Sequence, residues 1–197
     1  VLIAHGVHVD DTELELLLAT ETALAYCPWA YLRLGQGVTQ VGRHVEFIRR
    51  GGSLALGCDA ENAGDAIDLL RVAALAAGLA KDAAVDPTQF GAHDALHHAT
   101  LGGAAALGLD DELGSLAPGK RADIVLVDTT GPEWVPLSPD PALQLVWASD
   151  GRSVRHVVAS GRVVVRDGEP TLIDRAGLTA EAQARHLRLV RDADLGS

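Results

Sequence analysis

Methionine is absent from these 197 residues, and cysteine occurs only twice. Two thiols, Cys27 and Cys58, are too few for a disulfide framework, and in a reducing compartment both stay free. Basic residues are scarce: 16 Lys+Arg stand against 27 Asp+Glu, a net charge of −11 with histidine neutral. Such a field repels phosphate backbones and anionic headgroups, which argues against nucleic acid or a membrane as partner. No apolar run approaches the about 20 residues that span a bilayer, and no basic segment followed by an apolar one stands at the start as an export signal. A cytoplasmic protein is the expectation. An apolar strand pattern, Val1-Leu2-Ile3-Ala4, already begins at residue one, so the chain reads as the truncated remainder of a longer protein.

What is present is of globular composition, 48% hydrophobic and 22% charged, enough to bury a core. The length suits one ordinary domain or pieces of two, and falls short of the about 250 residues of a complete eight-stranded α/β barrel. Up to about Leu107 the pattern alternates short apolar runs with helix-period segments, as in βα units around a parallel sheet. Strands are predicted at Val1 to Ala4, Ala23 to Tyr26 and Ser53 to Leu56. Helices are predicted at Asp11 to Thr20 behind Asp10 or Asp11, at Val41 to Arg50 closed by Gly51-Gly52, and at Ala66 to Lys81 behind Asp65. Two short helices follow, His93 to Ala99 and Thr100 to Leu107. Beyond the turn cluster Gly114 to Gly119 the character becomes antiparallel, with β runs at Ile124 to Asp128, Val154 to Ala159 and Val163 to Arg166, the last two joined through Ser160-Gly161. Gly131 to Pro141 holds four of the eight prolines and reads as an ordered loop. Thr179 to Val190 reads as a charged terminal helix. No internal repeat is evident.

Reacting groups in α/β barrels sit where strands end. Here those residues are His5, Cys27 and Asp59. Val1, Ile3 and His5 share one face of a strand, which points the imidazole into a barrel mouth if that face is interior. Asp59 is either a cap for the following segment or a buried acid that needs a cation, and a neighbouring imidazole suits the second reading.

Three motifs, Ala4-His5-Gly6-Val7-His8, then Tyr26-Cys27-Pro28 with Leu32-Arg33-Leu34-Gly35, then Leu56-Gly57-Cys58-Asp59, together resemble the C-terminal half of the amidohydrolase superfamily. The likeness is to the branch of cytosine, guanine and adenosine-type deaminases and triazine chlorohydrolases. The run Leu113 to Val125 is similar to that family's return from barrel to β-sandwich. The resemblance implies the last three strands and helices of a (β/α)8 barrel over residues 1–112, part of a small antiparallel β-sandwich over 113–171, and a terminal helix or tail over 172–197. It implies one zinc or iron ion held by a His-x-His pair, a further His and an Asp, of which only Asp59 is present in this chain. On the family pattern Asp59 binds the metal and takes a proton from the attacking water, while His5 polarises the water or substrate without ligating the ion. The implied substrate is a small nitrogen heterocycle that is deaminated or dechlorinated, and the chain by itself is expected to be inactive. Trp29 and Tyr31 lie where they could stack on a planar ring, or equally pack between loop and sandwich. Cys58 stands where the family usually has Thr, and the loop Ala60 to Asp65 departs from the deaminases' continuation. A cyclic-amide ring opener of the same superfamily, and a non-catalytic binding module that dimerises to cover its edges, are the alternatives.

Other candidates carry less. His93-Asp94-Ala95-Leu96-His97 imitates a zincin helix, but Asp replaces the Glu base and no third ligand is evident, so a surface or packing pair is expected. His8 should turn away from the mouth. His44, His156 and His186 lack a partner pattern and are expected to be exposed. No basic residue in sequence activates Cys27 or Cys58. Gly57 and Gly102-Gly103 are packing or turn glycines, since no Lys-Ser/Thr follows.

Overall fold

The computed structural model describes residues 1–64 and 67–193. The described residues form two sheets. The first is parallel, in the order β1 (Leu2–Ala4), β2 (Ala23–Tyr26), β3 (Leu54–Leu56), with Leu2 opposite Ala23 and Leu24 opposite Leu54. Each strand is followed by helix, as parallel pairing requires. α1 (Asp11–Ala19) starts with a reciprocal cap: Asp10 Oδ1 accepts the Glu13 amide at 2.8 Å, and Glu13 Oε2 accepts the Asp10 amide at 3.0 Å. β2 and β3 are buried, whereas Leu2 and Ile3 of β1 remain 39% and 43% exposed. The apolar run at residues 1–4 therefore forms its strand but not a buried one: β1 packs chiefly on β2, whereas the other edge strand, β3, is covered by helices.

Two features between β2 and β3 depart from expectation. Pro28 opens a helix, α2 (Pro28–Arg33), in place of a loop, its fixed φ suiting the first helical position. The helix expected over Val41 to Arg50 is α4 (His44–Arg49), preceded across Gly42 by a separate short helix, α3 (Val38–Val41). At Gly42 the chain turns extended, and a Cβ would sit 2.5 Å from the Val38 carbonyl oxygen.

After β3 come α5 (Glu61–Gly64) and α6 (Leu69–Ala84). The cap of α6 is Asp68, whose Oδ1 accepts the amides of Leu70 and Arg71; the expected cap Asp65 and start Ala66 lie outside the described residues. Val72, Ala73, Ala76, Ala77 and Ala80 form the buried stripe of α6 at helical spacing. Against it pack β3, α7 (Ala92–Ala99), α2 and α3. α8 (Leu101–Ala106) covers β3. Gly114 then crosses so close that a Cβ would meet Leu101 Cα at 2.7 Å, with φ at +83°.

The second sheet is antiparallel, β4 (Ile124–Val127), β5 (Val154–Ala159), β6 (Arg162–Arg166) and β7 (Glu169–Pro170). Its tight turns, Ser160-Gly161 and Asp167-Gly168, have positive φ at both central residues, the hand that matches strand twist. Between β4 and β5 the proline-rich stretch is ordered: a 3-10 turn over Pro132–Trp134 buries Trp134, and α9 (Pro141–Trp147), missed in the sequence, follows cap Asp140. α10 (Arg175–Asp192) is longer than the predicted Thr179 to Val190 and has no buried residue. Among the described residues no helix is long and apolar enough to cross a membrane.

Candidate active site

His5 follows β1 and Asp59 follows β3, so both emerge at the carboxyl edge of the parallel sheet with Cys27 between them after β2. His5 and Asp59 each adopt positive φ, +74° and +62°, a conformation that costs a non-glycine residue about 1–3 kcal/mol. The strain is met by local bonds. The His5 amide donates to the Ala25 carbonyl at 2.9 Å, and Asp59 Oδ1 accepts the amide of Ala60. Asp59 Oδ2 then lies 3.9 Å from His5 Nε2, with the side chains 22% and 46% exposed. That gap is too long for a hydrogen bond, so the two groups face one another without neutralising each other's bonding capacity. His5 Nδ1 is buried and has no hydrogen-bond partner.

Cys27 is buried behind this pair, and a Cβ on Gly57 would come within 2.9 Å of its Sγ. Burial, followed by the Asp59 charge, pushes its thiol up to about 11; burial also raises that of Cys58. Neither is an activated nucleophile.

The aromatics of α2 divide. Tyr31 is completely buried; its hydroxyl accepts the Cys27 amide at 2.8 Å and donates to the Ala25 carbonyl at 3.2 Å. This corrects the expectation that Tyr31 meets a ligand: its one polar atom is spent on backbone and its ring on core. Burial raises its phenol far above the ordinary range, as it does that of Tyr26. Trp29 is half-buried under Arg71, whose guanidinium carbon is 5.0 Å from the ring centre, and its Nε1 is unpartnered. α2 packs against α5, the segment following Asp59.

His44, expected to be exposed, is 4% exposed. The missed signal was its spacing three residues before Phe47, which is also fully buried. The zincin-like pair does not converge: His93 Nε2 bonds Asp140 Oδ2 at 2.8 Å, His97 is exposed, and the buried neighbour His98 bonds the Leu54 carbonyl at 2.8 Å through Nδ1. Among the described residues, no three metal-capable side chains gather in one place. His8 is exposed.

Residues 1–164 match the profile of the Amidohydrolase family. The chain belongs to that family. It is 37% identical over 185 residues to the 5-methylthioadenosine/S-adenosylhomocysteine deaminase of Moorella thermoacetica, covering 94% of this chain and 42% of that protein. Among solved structures it is similar to an adenosine deaminase from Xanthomonas campestris with bound zinc, at 32% identity and TM-score 0.89 over 95% of this chain and 42% of the other. It is also similar to the atrazine chlorohydrolase of Arthrobacter aurescens complexed with zinc, at 28% identity and TM-score 0.81 over 93% and 40%. The amidohydrolase chain described here thus spans about two fifths of the length of these relatives.

Proposed function

We propose that residues 1–197 supply one side of the centre of a metal-dependent amidohydrolase that hydrolyses a C–N or C–Cl bond on a nitrogen heterocycle, deamination being the favoured reaction. In this reading residues 1–112 are the last three βα units of a (β/α)8 barrel, residues 113–171 part of a β-sandwich and 172–197 a terminal extension; the protein is cytoplasmic. The observation that carries it is the placement of Asp59 and His5 at the carboxyl ends of strands in one parallel sheet, 3.9 Å apart and each in a left-handed turn.

Asp59 fits a divalent ion, for which zinc is proposed. It presents Oδ2 free of any backbone donor while Oδ1 is held by Ala60, and a carboxylate oxygen is a suitable zinc ligand. Asp59 would hold the ion together with ligands from outside these residues, and the isolated chain is accordingly proposed to be inactive. When bound, the ion would supply a nucleophile at neutral pH, by acidifying water toward a pKa of about 7.

The chain's own residues then perform two tasks. Asp59 accepts the proton released as water attacks the ring carbon and returns it to the departing amine. His5, with its side chain half open to the mouth, donates from Nε2 to the oxygen or ring nitrogen that carries the charge developing around the tetrahedral carbon. Bonds balance: a C–O bond forms, the C–N bond breaks, and ammonia leaves. Trp29 is proposed as the flat surface against the heterocycle.

The test is ammonia release from adenosine-type nucleosides, and chloride release from a chlorotriazine, by the full-length polypeptide containing these residues, with metal content measured alongside. Asp59→Asn should abolish turnover and lower bound zinc. Full turnover by that variant would overturn the reading.

A further inference from the structure

His44 is not among the groups assigned to the reaction, yet it is built into the wall behind it. It opens α4 and stacks its ring on Tyr26, 4.3 Å between centres and tilted 32°, and on Tyr31, 5.8 Å and 20°. Tyr31 in turn meets the His5 ring edge-on at 5.7 Å and 77°. The polar contact is more specific: His44 Nε2 lies 2.7 Å from the backbone carbonyl oxygen of His5. A carbonyl only accepts, so Nε2 carries the proton and donates. Both backbone groups of His5 are thereby tied, the amide to β2 and the carbonyl to α4. Between those two ties lies the +74° φ of His5. Burial favours the neutral ring at His44, the form that keeps this donor and adds no charge beside His5.

We propose that His44 is a positioning residue: by donating to the His5 carbonyl it holds His5 in the left-handed turn that directs the imidazole toward Asp59. The inference rests on the reading of His5 as a reacting group only for its consequence in catalysis; the positioning itself is a property of this chain.

Two variants separate donor from ring. His44→Phe keeps an aromatic ring against Tyr26 and Tyr31 and removes the donor; His44→Gln removes the ring and keeps an N–H of similar reach. Nuclear magnetic resonance of the unmodified 197-residue chain should show a slowly exchanging His44 imidazole proton on Nε2 and carbon shifts of a left-handed residue at His5. With the β2 and β3 amide signals in place, His44→Phe should lose the left-handed signature and His44→Gln should regain it. In the full-length polypeptide, His44→Phe should lower kcat about tenfold or more with KM nearly unchanged, as a displaced reacting group does, and His44→Gln should restore most of it. A deprotonated His44 Nε2 in the unmodified chain overturns the proposal without recourse to any variant. So does a left-handed His5 that persists in a folded His44→Phe chain. If every heterocycle fails as substrate while the resonance results hold, the proposed reaction falls and the positioning role stands.

Discussion

Asp68 and Gly151 join the two sheet regions through one carboxylate. While Asp68 Oδ1 caps α6, its Oδ2 accepts the Gly151 amide at 2.8 Å, just before β5. The residue that starts the long helix behind the site thus also fixes the chain that leads into the second sheet.

Asp68→Ala should therefore cost more than an ordinary cap, about 1–2 kcal/mol, and Asp68→Asn less, since an amide oxygen can still accept. Urea unfolding followed by circular dichroism checks this. An alanine variant as stable as the parent would show that both contacts are dispensable.

Tyr31→Phe removes the acceptor of a buried Cys27 amide and the donor to Ala25. A buried unpaired amide costs about 1–3 kcal/mol. The melting temperature should fall while the α2 ring packing survives, and hydrogen exchange at the Cys27 amide should accelerate.

Acid should destabilise the fold through its buried histidines. Burial lowers the pKa of both His44 and His98 below the ordinary 6.5, so the unfolded chain binds protons more readily than the folded one. Their contribution is whole above about 6.5 and is lost as pH falls through the lowered folded values. Unfolding free energy measured between pH 7.5 and 5 should decline, and the slope should be shallower in His98→Gln. An unchanged slope would remove His98 from the explanation.

Gly114→Ala places a methyl 2.7 Å from Leu101 Cα at a φ of +83°. Crowding and strain act together there, and a loss of about 1–3 kcal/mol is expected. Gly108, also left-handed but with open space around it, is the control: alanine there should cost less in the same unfolding assay.

The thiols should be quiet. In native buffer at pH 7.5 an aromatic disulfide reagent should react slowly, with Cys58 ahead of the more deeply buried Cys27, and two equivalents should appear on unfolding. Rapid stoichiometric labelling of Cys27 would contradict the raised pKa caused by its burial.

The three parallel strands and the residues at their ends were legible because each is a short apolar run closed by a distinct break, His5-Gly6, Cys27-Pro28 or Gly57-Cys58-Asp59. The hairpin through Ser160-Gly161 was legible from its turn chemistry. α2 was not, since Pro28-Trp29-Ala30-Tyr31 has no apolar period long enough to register as helix and forms one because Tyr31 anchors it to β2. α9 begins at the last proline of the stretch read as loop, and the residues after it were left unassigned, although Asp140-Pro141 is itself a helix start. His44 was misjudged because one three-residue spacing to Phe47 is a weak signal by itself; the ring stack and the carbonyl it faces, both made by distant residues, are what hold it inside.

The alanine face of α6 has a practical bearing. Where contact is made by single methyls, neighbouring main chains lie close and the seam has no slack. A bulkier group anywhere along it would lever the whole rod outward, and with it the carboxylate at its tip that fastens the second sheet. Substitutions around His5 and Asp59 should therefore be made in the loops that carry them, leaving this helix face untouched.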